Sequence, residues 1–282
     1  MRQGFLELAG RWISRVADDR GFAWFRGALA QAMHGPDDRA LGMAIAQAPR
    51  RLGKVALALG ASDLADADAL RRGLDPSDWR VDQLARIALM LASHRDDASF
   101  AATLERFCAM AEINELIAIC RGLPVYPAAR LIEPRAREAL RSGMKPMFEA
   151  VAHRNPYPSE MFADDDWNQM VVKAIFIDVA LWPIQGLDAR NNPDLARMLV
   201  ALLHERRAAR RPINAEVWRC IVPYADHHGA AAMLHAWDEG DANHRRAIAL
   251  ALQAAPHRAA DLPFRDQLPE IDADNIGWRD LA

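Results

Sequence analysis

Residues 192–212 read NPDLARMLVALLHERRAARRP, a stretch that carries a complete helix signal from cap to stop. Asn192 offers a side-chain oxygen to the free backbone N–H groups of a first turn. Pro193 lacks the N–H that a first turn leaves unpaired, and Asp194 complements the positive end of the helix dipole. Leu195, Met198, Leu199, Leu202 and Leu203 then recur three or four residues apart, along one face. Pro212 cannot continue the helix. The spacing predicts a helix over 195–210 with His204, Arg206 and Arg207 near its C-terminal end, either solvated there or in contact with a neighbouring loop or its ligand.

The same period runs outward through the chain. Phe5, Leu8, Trp12 and Val16 mark the stripe of a first helix, and Phe22–Met33 begin a second. Arg2, Glu7, Arg11 and Arg15 interrupt the N-terminal apolar residues, so the stretch lacks the continuous apolar centre of a signal peptide. Asp75-Pro76-Ser77-Asp78 predicts a helix from Pro76 to about Ser93, and further helices are expected over 100–111, 113–121, 215–222, 229–238 and 243–254. Strand signals are nearly absent and no fixed repeat period stands out. The expected fold class is all-α, an irregular HEAT-like α-solenoid or a helical bundle of antiparallel helix pairs. Residues 121–165, which include Pro124, Pro127, Pro134, Pro146, Pro156 and Pro158, read as an irregular linker or functional loop. It would lie between a helical region over 1–120 and HEAT-like helices over 166–260, within one continuous domain, with a tail over 261–282.

The 282 residues are 51% hydrophobic and 26% charged, enough apolar material for a large core. A formal net charge of -3 excludes the global positive field on which non-specific nucleic-acid binding relies, so no nucleic acid is expected as partner. Of the 35 basic residues only Lys54, Lys145 and Lys173 are lysines. Cys108, Cys120 and Cys220 form no paired motif and fall on apolar helical faces, which points to a reducing compartment and to burial. The most apolar stretch, 170–184, holds Lys173 and Asp178 and is too short to span a bilayer. No membrane insertion is expected, and the expected location is the cytoplasm.

Residues 153–176 read HRNPYPSEMFADDDWNQMVVKAIF. Asn155-Pro156-Tyr157-Pro158 should be extended or turned, which presents Tyr157 on a stiff backbone. Asp164, Asp165 and Asp166 then suit a helix N-terminus. The helix from Trp167 is apolar nearly all round, so its polar exceptions are informative. Gln169 and Lys173 are four apart on one face, with Asn168 beside them, and a buried lysine needs a partner or loses its proton. Lys173 either pairs with an acid such as Glu160 or Asp178, or reaches solvent along its stem, or lines a ligand pocket with the two amides.

This segment resembles the EboA domain family. The likeness continues through Gln185-Gly186-Leu187-Asp188, Asn192-Pro193-Asp194-Leu195-Ala196-Arg197-Met198-Leu199, His204-Glu205-Arg206 and Glu216-Val217-Trp218-Arg219. Arg207 stands where the likeness leads one to expect an aromatic. The resemblance implies an all-helical protein of a bacterial secondary-metabolite operon, encoded beside a membrane prenyltransferase-like protein. It implies a role in moving metabolites, with a small-molecule metabolite and other proteins of that operon as partners. It supplies no catalytic residues and implies no cofactor.

Three functional readings follow. In the first, an accessory protein binds a small metabolite or its handling partners through His153, Asn155, Tyr157, Trp167, Asn168, Gln169, Lys173, His204 and Arg206. In the second, a cyclase, isomerase or lyase uses the same pocket, with Glu160 as general base and Lys173 and Tyr157 polarising the substrate. The third is a protein-interaction scaffold with an apolar concave face. No metal site is expected: His228 and His235 are seven apart, about 10 Å along a helix, and no zinc motif occurs. Neither a G-x-S-x-G elbow nor a phosphate-binding glycine loop is present.

Overall fold

The structure, a computed structural model, describes residues 1–34, 37–239, 241–258 and 277–281. The chain divides into two compact units, Met1–Phe162 and Ala163–Ala282. Helix formers at 3.6-residue spacing produce an all-α architecture. Among the described residues β pairing is limited to one bridge, Ala56 to Arg80. The first unit holds α1 (Arg2–Val16), α2 (Asp19–His34), α3 (Asp38–Leu52), α4 (Ala61–Leu70), α5 (Val81–Ala92), α6 (Asp97–Cys108), α7 (Ile113–Arg121), α8 (Ala129–Arg141), α9 (Lys145–Ala152) and α10 (Tyr157–Met161). The second holds α11 (Asp164–Phe176), α12 (Leu187–Arg190), α13 (Pro193–Ala208), α14 (Val217–Ile221), α15 (His227–Glu239) and α16 (Ala242–Ala254).

The first unit is organised around α5, whose twelve residues are all buried, with α1, α2, α3 and α7 packed against it. Leu84, Ile87, Leu89 and Met90 are wholly inaccessible. Burying each such side chain stabilises the fold by about 1.5–3 kcal/mol. The helix begins later than Asp75-Pro76-Ser77-Asp78 suggests. Asp75 Oδ1 accepts the Ser77 amide at 3.0 Å and closes a turn, while Leu57 N and Val81 N pair with Trp79 O and Val55 O. That pairing holds the backbone extended until Arg80, where Gln83 Oε1 accepts the Arg80 amide and starts the helix.

The proline-rich stretch, expected to be irregular, is mostly helical. Pro124, Pro146 and Pro158 occupy first-turn positions, where a missing N–H costs nothing, and only Pro134 lies inside a helix. In the second unit, α13 starts at the expected cap: Asn192 Oδ1 accepts Leu195 N at 2.9 Å. Its buried stripe includes Leu195, Leu199, Leu202 and Leu203, whereas Met198 is exposed and Val200 is buried instead. The tail expected over 261–282 lies outside the described residues except for 277–281, where a 3-10 turn buries Leu281.

One carboxylate fastens α4 to α1. Asp63 accepts from Trp12 Nε1 at 3.0 Å, from Arg15 at 2.9 and 2.5 Å, and from the Gly60 amide that caps α4. The Arg15 hydrogen bond leads the causes that hold the Asp63 carboxyl at about 2, against the opposing pull of burial. In the second unit, Trp218 Nε1 donates to His244 Nδ1 at 2.9 Å, so this imidazole is an acceptor and neutral at that nitrogen. Burial pushes the His244 pKa below its ordinary value, with Asp241 opposing.

These groups set two acid limits. A depressed carboxyl stabilises fully above its ordinary pKa of 3.8 and ceases to do so as the pH falls toward about 2. Asp63→Asn should therefore cost about 1–2 kcal/mol at pH 7 and flatten the stability profile between those values, read by urea unfolding at stepped pH. A depressed imidazole stabilises fully above its ordinary value of 6.5 and loses that contribution as the pH falls below it. His244→Gln should remove that slope from the wild-type profile; an unchanged slope would assign it to another group.

Candidate functional site

The candidate residues are divided between the units. In the first, Arg154 adopts a left-handed backbone (φ 51°) between His153 and Asn155. This strained geometry is held from both sides. Arg154 Nη1 bonds Asp75 Oδ2 at 2.7 Å and Ser77 Oγ at 3.0 Å. Burial pushes the Asp75 carboxyl up, but hydrogen bonds from Ser77 and Arg154 outweigh it and hold the pKa below its ordinary value. Asn155, 3% exposed, donates to Cys120 O and Ala150 O and accepts the Tyr157 amide at 3.0 Å. Tyr157 is not presented outward: its ring is buried against Phe162 and its hydroxyl donates to Ala129 O. Burial pushes that hydroxyl's pKa up. Glu160 is exposed and its carboxylate is ion-paired with Arg71, which also donates to Pro124 O at 3.1 Å. His153 is half-buried at the end of α9.

In the second unit, α11 starts at Asp164 and is not apolar all round. Trp167, Asn168, Met170, Val171, Ala174 and Ile175 are buried, Lys173 is half-buried, and Gln169 and Phe176 are exposed. Burial lowers the Lys173 pKa. The two amides do not converge. Asn168 exchanges hydrogen bonds with Asn192, at 2.9 and 3.3 Å, and so buttresses the cap of α13. The guanidinium of Arg190 lies 4.9 Å from the Trp167 ring and pairs with Asp164 at 2.6 Å. Trp167 Nε1 is buried without a hydrogen-bond partner among the described residues. Arg206 is buried rather than solvated, because it donates to Pro212 O at 2.7 Å and to Phe176 O at 2.9 Å, closing the carbonyl end of α11. His204 is exposed.

Two stretches that carry the family likeness meet physically. Asp188 accepts both Arg219 Nε and Nη2 at 2.7 Å, and Glu216, wholly buried, accepts the Leu181 amide at 2.7 Å. Burial pushes the Glu216 carboxyl up, against hydrogen bonds from Leu181 and Trp182. All three cysteines are buried and free, and burial pushes the Cys108 and Cys220 thiols up to about 12, so neither offers a thiolate at neutral pH.

A groove of about 590 Å³ opens in the first unit, lined by residues of α3, α5, α6 and α7. Arg86 of α5 borders it with a side chain only 5% exposed. Its Nε donates to Ile45 O and its Nη1 to Asn114 O, each at 3.1 Å. Asp82 Oδ2 is 3.4 Å away and already held by Arg80 at 3.0 and 3.3 Å. Burial works against the Arg86 charge and lowers its pKa, with Asp82 opposing. Leu41, Phe107 and Met110 provide apolar lining. Periodicity does not reveal this groove, although a lone arginine in the apolar run of α5 is the same kind of signal as Lys173 in α11.

These features define an all-α protein with a solvent-open groove of ligand size in its first unit and a second unit tied by buried polar pairs. The chain belongs to the EboA family: the family model described as metabolite traffic protein EboA matches residues 5–222. Neither a curated protein nor a solved structure matches the chain. Among the described residues no helix is long and apolar enough to cross a membrane.

The polar pairs carry an ordered set of costs. Asn168→Ala should lower the unfolding free energy by about 2 kcal/mol, because it orphans part of Asn192. Tyr157→Phe should cost about 1 kcal/mol, and Gln169→Ala less than about 0.5 kcal/mol. Urea denaturation of the three variants measures this; equal costs for Gln169→Ala and Asn168→Ala would refute the pairing.

Proposed function

We propose that the protein is a small-molecule-binding accessory in metabolite traffic, and that it binds its metabolite in the groove beside α5. The family description supports the traffic role, and the resemblance is the ground for proposing a bacterial secondary-metabolite operon as its setting. The observation that carries the binding site is the groove itself. Its volume of about 590 Å³ lies within the range of small-molecule pockets, and it combines apolar lining with a few fixed polar groups. It also lies wholly within the family-matched residues 5–222.

In this reading Asn155, Tyr157, Asn168 and Arg206 hold helices in place, since their polar atoms are already engaged with the protein. His153, Trp167, Gln169, Lys173 and His204 are not needed for the ligand contact. The Arg71 pairing of Glu160 argues for binding over general-base catalysis, because the carboxylate is already engaged by a guanidinium of the protein.

Native mass spectrometry of the protein after incubation with a small-molecule extract of its host tests this. A retained small molecule is expected, its signal lost in Phe107→Asp and kept in Lys173→Ala. A bare chain mass across extracts would reject the reading. Loss in Lys173→Ala with retention in Phe107→Asp would move the site to α11.

A further inference from the structure

Arg86 is a buried cation whose Nη1 pairs with Asp82 Oδ2 at 3.4 Å, a carboxylate it shares with Arg80, and whose remaining edge faces the groove. A guanidinium carries five N–H donors and stays charged in proteins. Two of its three nitrogens reach backbone carbonyls, and the nearest carboxylate, Asp82, is gripped in bidentate fashion by Arg80. The third nitrogen, Nη2, has no hydrogen-bond partner among the described residues. It is not sealed from solvent either, and Arg86 borders the groove. A charged donor with no protein partner that faces an open groove is available to an incoming anion, which replaces water there with a charge-assisted bond.

The rim repeats the sign. The side chains of Arg50 and Lys54 both line the groove and make no hydrogen bond or ion pair among the described residues. Arg106, by contrast, is engaged with Asp38 at 2.7 Å and joins α6 to the start of α3. Glu112 and Glu115 also line the groove, and Glu115 Oε2 is engaged with the Glu112 amide. Asp38 lines the groove too, so the local balance is mixed, and among the cations Arg86, Arg50 and Lys54 have donors that no acceptor of the described residues engages. Opposite chemistry comes from Leu41, Phe107 and Met110, the last 84% exposed although apolar.

From this juxtaposition of a guanidinium with one free edge at the groove, two unpaired rim cations and an apolar lining, we infer that the groove binds an amphiphilic anion. Its carboxylate or phosphate meets Arg86 while its hydrocarbon body lies along Phe107 and Met110. The inference rests on the small-molecule reading above and narrows it to one ligand class. Carboxylate and phosphate share the chemistry that Arg86 recognises, since a planar guanidinium pairs with either in bidentate fashion.

Isothermal titration calorimetry at low salt, with decanoate, decyl phosphate, decanol and decylamine below their aggregation concentrations, tests it. At least one anion should bind tenfold or more tighter than decanol, and decylamine no tighter than decanol. Preference for decyl phosphate or for decanoate assigns the headgroup. Arg86→Met should bring the favoured anion to the level of decanol. Because that variant also removes two structural hydrogen bonds, the exposed pair Arg50→Ala with Lys54→Ala is measured alongside, and a loss of three- to tenfold is expected. Equal binding of anion and alcohol, tighter binding of the amine, or wild-type affinity in the rim pair overturns the inference. If the host extract yields a retained molecule but no anion binds, the ligand class is wrong and the small-molecule reading stands. If neither binds, both fall.

Discussion

A helix buried on every side has no face left for water, so each charged group on it must find its partner in the protein. That constraint governs the first unit. The twelve residues of α5 contribute apolar surface to α1, α2, α3 and α7, yet they include Asp82, Gln83 and Arg86. Gln83 caps the helix on which it sits, and Asp82 is held by Arg80. Arg86 can be buried because the carbonyls of Ile45 and Asn114 lie within reach and Asp82, one turn before it, shares its charge. The packing of α3 and α7 against α5 and the solvation of one guanidinium are therefore the same problem. Its solution leaves one edge of that guanidinium over, at the groove.

The second unit meets much of its polar burial with bonds between its own helices, although Trp167 Nε1, Asn191 Oδ1 and Glu216 Oε1 are buried without a partner among the described residues. Asn168 and Asn192 satisfy each other while Asn192 also caps α13. Arg206 closes the end of α11, Asp188 grips Arg219, and Glu216 fixes the Leu181 amide. Each of these contacts joins elements that are distant in sequence, which explains why polar residues recur in the stretches bearing the family likeness. They set the angle and register at which short helices meet, a task that apolar surfaces alone perform poorly.

The all-α class was legible because periodicity and caps are local signals, and α7, α13 and α16 fall close to where spacing places them. Asp75 misled because its cap chemistry is equally that of a turn, and only pairing with residues 55–57, far upstream, decides between them. The proline-rich stretch misled in the opposite way, since a proline in a first turn looks in sequence like a proline that breaks a helix. At the candidate site, residue type was readable but direction was not. Tyr157, Asn155 and Arg206 are as unusual as the sequence suggests, yet their polar atoms turn inward, because a carbonyl brought near by the fold outcompetes water.

That difference between inward and outward polar groups bears on where recognition can occur. A polar side chain whose hydrogen bonds are complete gains nothing from a ligand unless it first breaks one of them, at a cost comparable to the new bond. A largely buried group with an unused donor at a groove gives up only water to a ligand and breaks no bond within the protein, so a charge-assisted bond beside low-dielectric walls becomes available. By this criterion Asn155, Tyr157, Asn168 and Arg206 are poor recognition groups however distinctive their sequence context. Arg86, inconspicuous in an alanine- and leucine-rich helix, is a good one. Apolar lining from Phe107 and Met110 beside it adds binding energy that is insensitive to headgroup orientation, which suits a protein that must take up its cargo and release it again.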